Sequence, residues 1–162
     1  MIAAEFVRRG VRTYITARKA EACLQTAEEL SEFGECIALP GDLSKMEGIE
    51  SFVSEVEARE QQLDILVNNA GAAWGVPFDE FPESGWDKVM DLNVKSLFFL
   101  TQKFAPLLRA SATAEQPAKV INMASVDGIH NARPETYSYS ASKAAVIHLT
   151  RRMAKRLVEE HI

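Results

Sequence analysis

Cysteine is scarce in this chain, and its two copies, Cys23 and Cys36, follow no metal-ligand spacing. That argues against a zinc-binding cysteine cluster and against a secreted disulfide framework. Cys36 sits in a short apolar run and Cys23 in a helical pattern, and both read as small core residues. No carboxylate–histidine cluster marks a metal site, and His130, His148 and His161 read as bystanders. No apolar stretch reaches the ~18 residues of a membrane span. The nearest, Ser96 to Leu108, carries Gln102 and Lys103 and reads as a buried helix. The segment from Met1 to Arg9 lacks the charged start and long apolar centre of a signal peptide, so the expected location is cytoplasmic. Basic charge is short as well: the net charge of −5 argues against a nucleic-acid binder, since such proteins usually present a basic face. There is no Gly-x-Ser-x-Gly elbow, which sets aside a Ser–Lys hydrolase. Repeats, linkers and low-complexity tracts are also missing, so residues 1–162 read as one domain.

What is present is a 47% hydrophobic chain, ample for a core, in which helical and strand patterns alternate. Such alternation implies a parallel sheet with helices on both faces. A helix starting at Met1 turns Ile2, Ala3, Phe6 and Val7 inward and closes at Gly10, and a strand follows over Thr13 to Ala17. Ala20, Leu24, Ala27 and Leu30 form the next stripe, closed by Gly34, before a strand over Glu35 to Leu39. Ser44-x-x-Glu47 reads as a capping box opening a helix with Ile49, Phe52, Val53 and Val56 inward. Buried strands are expected over Leu63 to Val67 and Val120 to Ser125, with Asn93 on an apolar helix between them.

The chemistry concentrates after the last of these strands. In Tyr139-Ser-Ala-Ser-Lys143 the tyrosine and lysine stand at i and i+4, on one helical face. A phenol ordinarily titrates near pH 10, about three units too high for ready proton transfer at neutral pH. An ammonium nearby favours the phenolate, as a general acid/base tyrosine requires. Ser125 adds a hydroxyl able to hold a carbonyl oxygen. Tyr137 lacks a lysine four residues on and reads as a substrate-side or packing residue.

Four pieces in order, Asn69-Ala70-Gly71, Asn93, Ser125 and Tyr139-x-x-x-Lys143, resemble the short-chain dehydrogenase/reductase family over essentially the whole chain. The resemblance is nearest to 3-oxoacyl-thioester (acyl carrier protein) reductases of the rhamnolipid-synthesis type, enzymes of fatty acid metabolism. It implies a Rossmann-like, doubly wound parallel sheet. It also implies an oxidoreductase that reduces a ketone to a secondary alcohol by hydride transfer, with Asn93, Ser125, Tyr139 and Lys143 as catalytic residues. Tyr139 would be the general acid, Lys143 would also hold the nicotinamide ribose, and Asn93 would bend its helix and support a proton relay. Asn69, Ala70 and Gly71 would turn the backbone beside the cofactor, and Asp42-Leu43 would meet the adenine, although Asp42 also reads as a plain turn residue. The family's first strand and glycine-rich phosphate turn are not found here, nor are its last strands. The fold is therefore expected to be incomplete, truncated at both ends, and poor at binding NADPH on its own.

Two further expectations concern partners. In dinucleotide folds an acid after the second strand selects NAD, whereas this chain has Ala17-Arg18-Lys19. Arg18 can pair with a 2′-phosphate, which points to NADP, although the pair could also simply solvate a helix start. Ser96-Leu-Phe-Phe-Leu100 is apolar on nearly every side, as a helix buried twice would be. By resemblance this implies a homodimer or homotetramer acting on a small carbonyl or acyl-thioester substrate, with no nucleic acid or membrane partner. The alternative is a catalytically incompetent fragment that serves only as an oligomerisation or partner-binding module.

Overall fold

A computed structural model of the chain describes residues 2–130 and 134–162, which fall into two compact units, 1–59 and 60–162. The expected helix start at Met1 lies outside the described residues. Helix and strand alternate throughout, and the strands pair in parallel as two separate two-stranded ladders. The chain is thus an α/β, Rossmann-like protein. Among the described residues no strand precedes the first helix and none follows the last.

The first unit holds α1 (Ile2–Arg8), β1 (Thr13–Ile15), α2 (Ala20–Ser31), β2 (Cys36–Ala38) and α3 (Met46–Glu57). Strands β1 and β2 pair with Thr13 against Cys36 and Ile15 against Ala38. Helix α1 ends in a Schellman motif: Val11 N–H donates to Phe6 C=O at 3.0 Å and Gly10 N–H to Val7 C=O at 2.9 Å. Gly10 meets the left-handed turn this requires, with φ of +77°. Gly34 serves packing rather than capping, because a Cβ there would lie 2.6 Å from the Val7 carbonyl oxygen. The core gathers Ala4, Val7, Ala27, Leu30 and Cys36, flanked by Ala3, Ile15 and Ala38.

Three local expectations need correction. The buried stripe of α2 is Cys23, Ala27 and Leu30, while Leu24 points outward at 55% exposure. Ile2 is likewise exposed, and Ala4 takes the inward place beside Val7. The Ser44–Glu47 capping box does not form: α3 starts after Lys45 with no side-chain cap. Ser44 instead donates its hydroxyl and its N–H to Asp42 Oδ1, at 2.8 and 3.1 Å. A short polar side chain has satisfied a local turn in preference to the helix end.

The second unit holds β3 (Ile65–Asn68), α4 (Glu83–Met90), a π turn (Asp91–Lys95), α5 (Ser96–Ser111), β4 (Lys119–Asn122) and α6 (Tyr137–Leu157). Strands β3 and β4 pair from Ile65–Lys119 to Asn68–Asn122. Leu97, Leu100, Phe104 and Leu108 form the buried stripe of α5. Both strands end in asparagine, so the ladder stops on a polar pair rather than an apolar one.

Candidate active site

The strand ends carry the first polar structure. Asn68 Nδ2 donates to Asn122 Oδ1 at 2.8 Å and to Thr101 Oγ1 on α5 at 3.1 Å. Asn122 Nδ2 donates onward to Thr150 Oγ1 on α6 at 3.0 Å. The two paired asparagines therefore tie β3 and β4 to a helix on each side. Directional bonds of this kind fix register where apolar contacts would allow sliding, although Asn68 Oδ1 is itself buried without a hydrogen-bond partner. The ladder sets the position of the next residue, because Met123 N–H donates to the Asn68 carbonyl at 3.1 Å.

The Met123 carbonyl in turn accepts from Lys143 Nζ at 2.6 Å. Lys143 is only 6% exposed, and burial pushes its pKa below the ordinary lysine value. Its ammonium lies 5.5 Å from the centroid of the Tyr139 ring, as i and i+4 placement on α6 requires. Gly71 stands beside the same ammonium: a Cβ there would come to 3.9 Å from Lys143 Nζ and 3.4 Å from Asn93 Oδ1.

Asn93 lies in the π turn, where the helix widens by one residue. Its side chain is clamped on the loop after β3: Oδ1 accepts from Ala72 N–H at 2.8 Å and Nδ2 donates to Ala72 C=O at 2.9 Å. The second Nδ2 hydrogen goes to Ser142 Oγ at 2.9 Å. Ser142 then donates to the Tyr139 carbonyl at 2.7 Å.

Ser125 lies on the segment between β4 and α6. It is half-buried just beyond β4 and caps the turn Val126–Gly128, its Oγ accepting from Asp127 N–H at 3.2 Å. Because the oxygen accepts there, the hydroxyl proton remains free to donate elsewhere. The turn is pressed against α6, for a Cβ on Gly128 would lie 2.7 Å from the Lys143 carbonyl carbon. Only glycine permits that approach.

Tyr137 packs edge-on to Phe78 and Phe81, with ring centroids at 5.5 and 5.8 Å. Its hydroxyl is pushed above the ordinary tyrosine pKa by desolvation, then by Glu135 and Asp79. His130, His148 and His161 are exposed, and among the described residues no group of His, Cys, Asp or Glu gathers to hold a metal.

The dinucleotide candidates divide between the units. Asn69, Ala70, Gly71, Tyr139 and Lys143 belong to the second, and Arg18, Asp42 and Leu43 to the first. Arg18 is exposed just past β1, where Ala17 C=O accepts from Gly41 N–H at 3.1 Å. The Asp42 carboxyl is held below its ordinary pKa chiefly by the Ser44 hydroxyl, with help from Ser44 N–H and the charges of Arg18 and Lys45. The Leu43 side chain is buried. Gly48 lets α3 close on this turn, since a Cβ there would collide with the Asp42 carbonyl oxygen at 2.1 Å. The donors present suit a dinucleotide: a buried ammonium has three N–H groups, and the Met123 carbonyl takes one.

Sequence reasoning missed Asn68, Asn122 and Ser142. The signal was an asparagine closing each of two apolar strands, and a serine directly before the lysine.

The family model for short chain dehydrogenase matches residues 1–162, and the chain belongs to that family. It is 49% identical over 162 residues to a Pseudomonas aeruginosa rhamnolipids biosynthesis 3-oxoacyl-(acyl-carrier-protein) reductase, covering all of this chain and 63% of that protein. The solved Pseudomonas aeruginosa RhlG/NADP active-site complex superposes with a TM-score of 0.96 at 49% identity, over 99% of this chain and 63% of that one. An Escherichia coli 2-dehydro-3-deoxy-D-gluconate 5-dehydrogenase is 36% identical over 139 residues, 85% of this chain and 53% of that protein. The chain thus spans between half and two thirds of the length of these relatives. No helix among the described residues is long and apolar enough to cross a membrane.

Proposed function

We propose that this chain carries the catalytic part of an NADP-dependent reductase that converts a ketone, here a 3-oxoacyl thioester, to a secondary alcohol. The observation that carries the reading is the buried Lys143 ammonium set beside the Tyr139 ring, with Gly71 next to both that ammonium and the Asn93 side chain. The 49% identity to the Pseudomonas aeruginosa 3-oxoacyl reductase supports the choice of substrate.

The reduced dinucleotide, when bound, supplies the hydride. The free Ser125 proton binds the substrate carbonyl oxygen and orients it. Tyr139 donates its hydroxyl proton to that oxygen as negative charge develops there. Lys143, with its positive charge beside the ring, stabilises the charge left on the phenol oxygen, and its remaining N–H groups hold ribose hydroxyls. Asn93 holds the Ala72 loop to α6 and supports the proton relay. Asn69, Ala70 and Gly71 let the backbone pass close to the cofactor.

In this reading residues 1–162 belong to a partial dinucleotide-binding domain. Asp42 and Leu43 would meet the adenine, and Arg18 would pair with the 2′-phosphate, which favours NADPH. The protein works in the cytoplasm on fatty acyl intermediates, as a homodimer or homotetramer built on α5 and α6.

The test is Tyr139→Phe in the full-length protein, assayed with NADPH and a 3-oxoacyl thioester. Turnover is expected to fall by about 10²–10⁴-fold while NADPH binding, followed by calorimetry, survives. Near-normal turnover would sink the proton-donor role. Reduction of sugars or steroids but of no 3-oxoacyl thioester would sink the substrate.

A further inference from the structure

Ser142 is fully buried and stands between the two residues that frame the proposed chemistry, three after Tyr139 and one before Lys143. A helical serine often satisfies itself by donating to a carbonyl one turn back, and Ser142 does so at 2.7 Å to Tyr139 C=O. That bond uses its proton and leaves its lone pairs. One of these accepts the Asn93 Nδ2 hydrogen at 2.9 Å, so the hydroxyl joins the π turn to the first turn of α6.

The value of the junction lies in what Asn93 has left to give. Its Oδ1 and one Nδ2 hydrogen are committed to Ala72, on a loop that starts beside Gly71. Asn93 is only 2% exposed, so its second hydrogen has no recourse to water. Without the Ser142 oxygen that donor is buried with no acceptor, and the amide must turn away from Ala72, or α6 must shift, to recover one. Either movement changes the placement of Tyr139 and Lys143 against the loop that carries Gly71.

We infer that Ser142 is a positioning residue for the reduction proposed above, acting through Asn93 and the Tyr139 carbonyl to hold the first turn of α6 in register with the Ala72 loop. The inference rests on the reading of Tyr139 as proton donor. It assigns Ser142 no contact with substrate or cofactor.

The test compares Ser142→Ala, Asn93→Ala and the double variant in the full-length protein, with NADPH and a 3-oxoacyl thioester. Rates are taken per NADPH-binding site, so a loss of folded protein does not count. Ser142→Ala is expected to lower kcat about tenfold, a larger factor than any rise in KM for NADPH. In the Asn93→Ala background the same substitution is expected to cost little, because its partner has gone. Unchanged kcat in Ser142→Ala overturns the inference, and so does an equal loss in both backgrounds, which would mark a structural role independent of Asn93. Tyr139→Phe in the same assay separates the two levels. If it keeps turnover, the reading of the site fails and the inference with it. If it is inactive while Ser142→Ala runs at full rate, only the role of Ser142 is lost.

Discussion

The two units bury different chemistry. In the first, the buried cluster of Ala4, Val7, Ala27, Leu30 and Cys36 is apolar throughout. In the second, Asn68, Asn93, Ser96, Thr101, Ser138, Ser142 and Lys143 are all buried, and among the described residues the first unit buries no comparable side chain. Apolar burial stabilises a fold without requiring direction, whereas each buried polar group must find a partner at a set distance and angle. The second unit fixes geometry with buried polar side chains where the first packs apolar ones.

Lys143→Met should sharpen the contrast most. Turnover is expected to fall by about 10²–10⁴-fold, since the charge beside Tyr139 disappears. The melting temperature should hold or rise, because an apolar side chain replaces a buried cation. A large drop in melting temperature with turnover retained would invert the comparison. Leu30→Ala tests the opposite side. Truncating a buried leucine in the first unit should cost about 2–5 kcal/mol in denaturant unfolding, with kcat per folded molecule unchanged. A fall in kcat without loss of stability would show that the apolar core of the first unit shapes the chemical step.

Arg18→Ala should act on affinity alone. Losing a charge-assisted bond to the 2′-phosphate should narrow the preference for NADPH over NADH by about tenfold, through the NADPH term. An unchanged ratio of the two kcat/KM values would remove Arg18 from the site.

The smallest effect is in pH. Below the lowered folded-state pKa of Lys143, both folded and unfolded chains carry its proton, and the burial cost is felt in full. As pH rises from that value toward the unfolded 10.5, the folded state releases the proton first, and stability gains. The difference in melting temperature between the wild type and Lys143→Met should therefore move in favour of the wild type across that interval. A flat difference would mean that burial does not perturb Lys143.

The sequence made the order of elements readable because helix stripes and strand runs are local patterns. The spacing of Tyr139 and Lys143 was likewise a local fact, and their place on one face of α6 followed from helix geometry. Where reading failed, a side chain had a choice that only the folded chain resolves. Ser44 could cap a helix or close a turn on Asp42, and it took the turn. Cys23 and Leu24 differ by one position, and the rotation of α2 buried the cysteine. The ladder from Thr101 through Asn68 and Asn122 to Thr150 links residues far apart in the chain, so no local window contains it.

The π turn at Asp91–Lys95 behaves as a single-residue insertion in an otherwise continuous helix. The extra residue is taken up within one widened turn, so deleting it would restore regular winding and leave the two flanks facing as they do now. What would go is the widened place in which Asn93 sits. Length, as much as residue identity, is therefore constrained here: a chain one residue shorter in this turn could keep its asparagine and still lose the grip on Ala72.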